Sequence, residues 1–348
     1  MLALFIPLGI LIAAGLTLLS AVSPHLFYFQ IAWVAIGAGL VALFLYVDWR
    51  MVFNARWVVW AIYLLALFLI VFTYLFSPAI RNVKSWIFVG PFSFQPVELM
   101  KVALIFLYAW YFSRRHLAVA RWRHIITSFV FFLIPAAIAV RLPDMGSAVI
   151  FFAIWFGFLL LSGLPLRRLA VAVLVFALAA TAVWFYVLKD YHRARIVGFL
   201  YPAQDLLGIN YSSTQAKIAV GSAGFFGKGY GQGTQTELGF LSEPSQDFIF
   251  AGIVEEWGVA GGLVVIGAMF FLVFQILKVG SLADENFEKF ICLGTAMMLG
   301  VQFLLNAGSA TGLTPVVGVT LPFVSYGGSS MFANFFLLAV VNSIRKRS

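Results

Sequence analysis

The stretch Glu243-Pro-Ser-Gln-Asp-Phe-Ile-Phe250 marks where a polar loop gives way to an apolar run, 248–278. A helix needs roughly 20 apolar residues to cross a bilayer core, and this run is long enough. It holds Glu255, Glu256, Gly258, Gly261 and Gly262, so it is expected to tilt, break or begin as a re-entrant turn. Asp247 sits at the boundary itself. An ionisable group there is costly to desolvate, and such groups mark functional sites.

Nine further runs of similar character lie at about 2–22, 27–47, 57–77, 97–113, 124–140, 147–162, 166–187, 288–309 and 328–344. The expected fold class is therefore all-α: a polytopic membrane protein of about ten transmembrane helices. It forms one domain over 1–348, with a long extracytoplasmic loop, 188–247, between spans seven and eight. Composition agrees. Of 348 residues, 63% are hydrophobic and 10% charged, against about 25% charged in soluble domains. No soluble core could bury that much apolar surface, so the solvent must largely be lipid. The first run has no basic region before it and no small-residue cleavage site, and reads as a retained span. The single cysteine, Cys292, rules out an internal disulfide.

The net charge is +9, yet the excess does not point to nucleic acid. Arg114, Arg115, Arg121 and Arg123 share one short loop. The tail carries Arg345, Lys346 and Arg347, and the Arg167–Arg168 pair falls on the same side. The opposite short loops hold Arg81, Lys84 and Arg141. The positive-inside rule then puts both termini in the cytoplasm, and anionic headgroups account for the basic loops.

The loop 188–247 is rich in Gly, Ser, Thr and Gln. Its apolar residues Ile218, Val220, Phe225, Phe226, Leu238 and Phe240 are expected to pack it onto the membrane domain; a disordered tether is the alternative. Gly221-Ser-Ala-Gly-Phe-Phe-Gly-Lys-Gly-Tyr-Gly-Gln-Gly233 invites a phosphate-loop reading and fails it. Ser222 stands where Gly is needed, and Gly229 where Ser or Thr is needed. Backbone amides with Lys228 remain suited to a pyrophosphate.

Pro96 suits a first helical turn, which sets Glu98 and Lys101 at i, i+3 on one helix face: a structural ion pair inside the bundle is expected, with a part in proton or ligand handling as the alternative. Asp144, before the sixth span, is expected to cap that helix. Glu255 and Glu256 should face the bundle interior or a polar cavity. The segment 306–330, with Ser325 and Ser329, holds too much Pro, Gly and hydroxyl for an ordinary span and reads as a broken element lining a cavity. The histidines show no metal-ligand spacing. A divalent cation (Mg or Mn) is compatible with the sequence and not required by it.

Four segments together resemble the SEDS family (shape, elongation, division and sporulation), most like its RodA elongation branch, with FtsW as the division-branch relative. They are Lys84-Ser-Trp-Ile through Gln95-Pro-Val-Glu-Leu-Met-Lys101, Pro143-Asp-Met-Gly-Ser147, 211–256 and 306–330. Gly239-Phe240 and the start almost directly in span one favour the elongation type. The resemblance implies a peptidoglycan glycosyltransferase that polymerises lipid II, with inversion to a β-1,4 link, at the outer face of the bacterial cytoplasmic (inner) membrane. It implies a class B penicillin-binding protein (a transpeptidase) and other elongation-complex membrane proteins as partners. It puts the catalytic acid on Asp247. For the leaving pyrophosphate the chain itself offers Arg81, Lys84, Arg195, Lys217 and Lys228 as candidate cations, with Asp144, Glu243, Glu255, Glu256, Ser325 and Ser329 as secondary candidates. Two departures stand out: Leu241-Ser-Glu243 replaces the usual Leu-Pro-Glu, and Ser245-Gln246 replaces the usual His-Thr before the acid. Any role for that histidine does not carry over. The competing readings are a lipid II flippase and a non-catalytic scaffold of the cell-wall synthesis complex.

Overall fold

A computed structural model describes residues 2–47, 49–78, 85–89, 92–114, 122–161, 167, 170–174, 178, 181, 184–185, 190–202, 205, 208 and 210–347. The expected cations Arg81 and Lys84 and most of the seventh expected span, 166–187, lie outside the described residues.

The described chain is almost entirely helical. Helices α1 (Leu2–Val22), α2 (Pro24–Leu43), α3 (Arg50–Phe53) and α4 (Arg56–Phe76) lead to a short antiparallel hairpin, β1 (Ile87–Val89) and β2 (Phe92–Phe94). Then come α5 (Pro96–Ser113), α6 (Trp122–Arg141) and α7 (Met145–Leu161). The loop region carries α8 (Asp190–Leu200), α9 (Tyr211–Ser222) and α10 (Thr234–Glu237), followed by α11 (Ile249–Leu282), α12 (Asn286–Thr311) and α13 (Gly328–Arg347). Among the described residues seven helices are long and apolar enough to cross a membrane: α1, α2, α4, α5, α6, α11 and α12. The expected boundaries agree closely with these helices. The count of ten is not reached on this criterion: α7 is shorter, α13 is not among the seven and carries Ser329, Ser330, Asn334 and Asn342, and most of the seventh run lies outside the described residues.

Helix α5 is the axis. From Pro96 to Phe112 nearly every side chain is buried, Lys101 included, because α4, α7, α12 and α13 pack around it. Its charged pair is internal: Lys101 Nζ donates to Glu98 Oε1 at 2.6 Å.

Helix α11 breaks where the sequence predicts trouble. Gly258 adopts φ 71° and ψ −172° inside the helix. A Cβ there would overlap the Phe225 carbonyl oxygen and the Gly227 nitrogen, and a Cβ on Gly227 would overlap the Glu256 carbonyl. Two glycines thus let two backbones cross in contact. The crossing satisfies the groups that the break frees. Lys228 N–H and Gly229 N–H donate to the carbonyls of Glu255 and Glu256 at 3.0 and 2.9 Å. Beyond the break, Val259 N–H and Ala260 N–H donate to the carbonyls of Gly224 and Phe225, each at 3.1 Å.

The long loop is therefore packed, as expected, but through other residues. Ile218, Phe225, Phe226, Leu238 and Phe240 are exposed, Phe226 by 82%; of the six named, Val220 packs against the core. Contact is made instead by Ala216, Ala219, Ala223 and Leu241, all buried, as α9 lies on α11 and α12. Small side chains permit the close approach that large ones would prevent.

Gly258→Ala should destabilise the protein by more than the roughly 1–3 kcal/mol of a strained backbone alone, because the new methyl also meets backbone. Gly267→Ala is the control. It sits in the same helix with no atom within 4 Å of a built Cβ, and should be neutral or stabilising. Equal melting temperatures for the two variants in detergent would remove the crossing from the account.

Candidate active site

Asp247 lies just before α11 on the wall shared by two cavities. The larger, about 570 Å³, is lined by Phe29, Trp33, Ser85, Trp86, Gln95, Asp144, Arg195, Glu243, Asp247, Gly318, Thr320, Tyr326 and Ser329, among others. The smaller, about 160 Å³, is lined by Arg195, Asn210, Ser212, Ser213, Lys217, Ser242, Glu243, Asp247, Ser309 and Thr314, among others. Arg195, Glu243 and Asp247 border both. Glu243 holds a left-handed backbone, φ 50°, rare for a non-glycine residue and a form of strain that clusters at functional sites.

Asp144 faces the larger cavity and also caps α7, as expected. Its carboxylate accepts from Ser147 N–H at 2.9 Å and from Ser147 Oγ at 2.8 Å. Gln95 Nε2 approaches it at 3.4 Å. Burial raises the Asp144 pKa, against the pull of Ser147 and of Lys101. Burial likewise raises that of Asp247. The Arg195 guanidinium opposes the rise, and the Asp144 charge adds to it. Arg195 is itself tied to the irregular segment, donating from Nη1 to the Val316 carbonyl at 3.3 Å.

That segment is not a span. Helix α12 stops at Gly312 in a left-handed cap, φ 79°, and the chain runs without regular structure to α13 at Gly328. Its residues 317, 318 and 320 line the larger cavity. The start of α13 borders the same space, as do Gln95 at the start of α5 and Asp144 at the start of α7. Helix N-termini carry partial positive charge and favour anions. Ser329 is on the wall, accepting from Gln95 N–H at 2.9 Å. Ser325 is behind it, donating from Oγ to the Gln246 carbonyl at 2.7 Å.

Lys228, Glu255 and Glu256 line neither cavity. Glu255 is fully buried and collects the loop around itself. Its oxygens accept from Lys228 Nζ at 2.8 Å, Gln235 N–H at 2.8 Å, Thr236 N–H at 3.1 Å and Thr236 Oγ1 at 2.7 Å, with Thr234 Oγ1 at 3.3 Å. The Lys228 ammonium is thereby committed to a structural pair rather than turned to the cavities. The signal was present in the sequence only as an acid and a base far apart. Phe29 and Trp33, one turn apart on α2, carry no motif; Gln30 between them, buried and donating to the Ser325 carbonyl at 3.1 Å, is the one polar hint. Among the described residues no group of three or more His, Cys, Asp or Glu side chains converges as a metal site.

The whole chain, residues 1–348, matches the model of the FtsW, RodA and SpoVE cell cycle proteins. It belongs to that family. The peptidoglycan glycosyltransferase MrdB of Escherichia coli K12 is 34% identical over 274 residues, covering 78% of this chain and 74% of MrdB. A probable peptidoglycan glycosyltransferase, FtsW of Tolumonas auensis, is 37% identical over 270 residues, covering 75% and 68%. A chain of a peptidoglycan synthase complex, solved for its coordination of polymerization and crosslinking, superposes with a TM-score of 0.87 at 26% identity, over 100% of this chain and 98% of that one. The Thermus thermophilus rod shape determining protein RodA gives 0.73 at 25% identity, over 99% and 95%. The family, the helical membrane architecture and the kinship with peptidoglycan glycosyltransferases expected from the four motifs all stand.

Glu255→Ala should destabilise more than Lys228→Met. The first strands two backbone N–H groups and a buried hydroxyl, at about 1–3 kcal/mol each; the second leaves Glu255 its other donors. Thermal unfolding of the purified variants compares them, and an equal or larger loss for Lys228→Met would contradict the geometry.

Proposed function

We propose that this chain is a peptidoglycan glycosyltransferase that polymerises lipid II at the outer face of the bacterial cytoplasmic membrane, with both termini in the cytoplasm. The observation that carries the reading is the partly buried Asp247 carboxylate at the head of α11, on the wall that it shares with Glu243 and Arg195 between two cavities, in a chain whose relatives are named for that activity. Joining two lipid-linked sugars needs two adjacent sites and a base between them.

Asp247 takes the proton of the acceptor's 4-hydroxyl as that oxygen attacks the anomeric carbon of the donor. Undecaprenyl pyrophosphate leaves from the opposite face, so an α-linked donor gives a β-1,4 link. General base catalysis contributes roughly 10²–10⁴ in rate. A raised pKa suits a base that must hold the proton in the transition state, since it moves the carboxylate towards the working pH. Arg195 and Lys217 stabilise the charge that develops on the pyrophosphate. Trp33 and Trp86 offer flat apolar faces for sugar rings in the larger cavity. No protein acid is needed, because pyrophosphate leaves as a stabilised anion.

A class B penicillin-binding protein is the partner this reading calls for, since a glycan strand becomes wall only when crosslinked. The relative in the synthase complex couples those two steps. Service in elongation rather than division rests on Gly239-Phe240 and on the likeness to RodA and MrdB.

Purified protein with its partner and lipid II should give glycan polymer, and Asp247→Ala should lower the rate by at least about 10². Normal polymer from Asp247→Ala removes the base assignment. Movement of labelled lipid II across liposomes without joining points to a flippase instead. The pH profile carries a signed prediction. Activity requires the ionised carboxylate, so the acid limb reports the Asp247 pKa. Asp144→Asn removes a neighbouring negative charge and should move that limb to lower pH; Arg195→Gln should move it to higher pH.

A further inference from the structure

Three consecutive carbonyls precede α11 and lie outside its ladder. Each is met by a donor from the C-terminal part of the chain. Tyr326 N–H donates to Ser245 O at 2.9 Å, Ser325 Oγ to Gln246 O at 2.7 Å, and Asn306 Nδ2 to Asp247 O at 3.0 Å. Asn306 differs from the other two. It is 1% exposed on α12, and its amide also donates to the Val319 carbonyl at 2.7 Å; Gln246 O lies at 3.4 Å. Two amide protons meet two good acceptors. The orientation of the amide is fixed by these partners, because turning it over would press Oδ1 against two carbonyl oxygens.

The second bond is the informative one. Val319 follows Gly318, which has φ 70° and where a Cβ would sit 3.7 Å from Asp247 Oδ2. One side chain therefore pins both the backbone that carries the carboxylate and the backbone that passes over it. Asn306 lines neither cavity, so any effect it has on substrate passes through those two backbone segments.

We propose that Asn306 is a positioning residue for Asp247, its amide setting the carboxylate against the Val317–Gly318 wall of the larger cavity. The proposal rests on the assignment of Asp247 as base. Misplacement of a reacting group by about 1 Å costs on the order of 10²-fold in rate, which is the scale at stake.

The test is steady-state polymerisation of lipid II by the full chain, with kcat, KM, a pH profile and a melting temperature for Asn306→Ala, Asn306→Asp and Asn306→Gln. Asn306→Ala should lower kcat roughly 10- to 100-fold, leave KM within about threefold, and displace the acid limb, as Asp247 shifts relative to Arg195 and Asp144. Asn306→Asp should lose more, since it sets a carboxylate against two carbonyls. Asn306→Gln keeps the NH2 group and should recover part of the rate. An unchanged kcat overturns the proposal. So does a kcat loss with the acid limb unmoved, or one matched by KM and melting temperature, as general support of the fold would give. Where Asn306→Ala does not fold, the same criteria are applied to Asn306→Gln. The two ideas fail separately: normal polymer from Asp247→Ala removes the base, whereas normal polymer from Asn306→Ala removes only the positioning.

Discussion

Backbone groups that leave the helical ladder inside an apolar bundle must find partners within the protein, because lipid offers none. The architecture around Asp247 is organised by that requirement. Near the end of α12 one carbonyl, Gly308 O, accepts from both Leu313 N–H and Thr314 N–H, at 2.7 and 3.2 Å. The carbonyls of 245–247 are met from 306–326. The break at Gly258 is met from 224–229. At Asp247 and at Gly258 the irregular backbone is thus completed by another part of the chain, and the segments around Asp247 line the two cavities.

The same economy of partners sorts the acids. Glu255 is surrounded by donors and belongs to the loop. Glu98 is paired with Lys101 on its own helix. Asp144 is half used as a cap, and Asp247 faces open space with Arg195 as its opposing charge. Burial works against ionisation at both aspartates, and the Asp144 charge makes Asp247 harder still to ionise. A carboxylate held in that balance takes up a proton more readily than one in water, which is what a base at a bond-forming step requires.

Much of this was legible beforehand. Apolar runs of bilayer length gave the helices because nothing competes with the helix for backbone groups in lipid. The Pro- and Gly-rich stretch 306–330 announced an irregular wall, and Asp247 at a loop-to-span boundary announced the site. Three things were hidden. The loop packs through alanines, whose small volume is an asset only once the neighbouring helix is known. Lys228 looked available because its partner, Glu255, is distant in sequence. Asn306 opens the quoted segment 306–330 but does its bonding to 247 and 319, and no spacing rule connects those positions.

The crossing at Gly258 has a mechanical consequence. A glycine break in a long helix is usually a place where two halves can swing. Here the loop 224–229 is bonded to carbonyls before the break and to N–H groups after it. It bridges the break as a splint bridges a fracture. The bend is therefore a fixed angle, and the short stretch 249–257 moves as one piece with the loop and with the carboxylate at its head. A swing of the rest of α11 about Gly258 is thus opposed before it reaches Asp247, whose own backbone is held separately from 306–326.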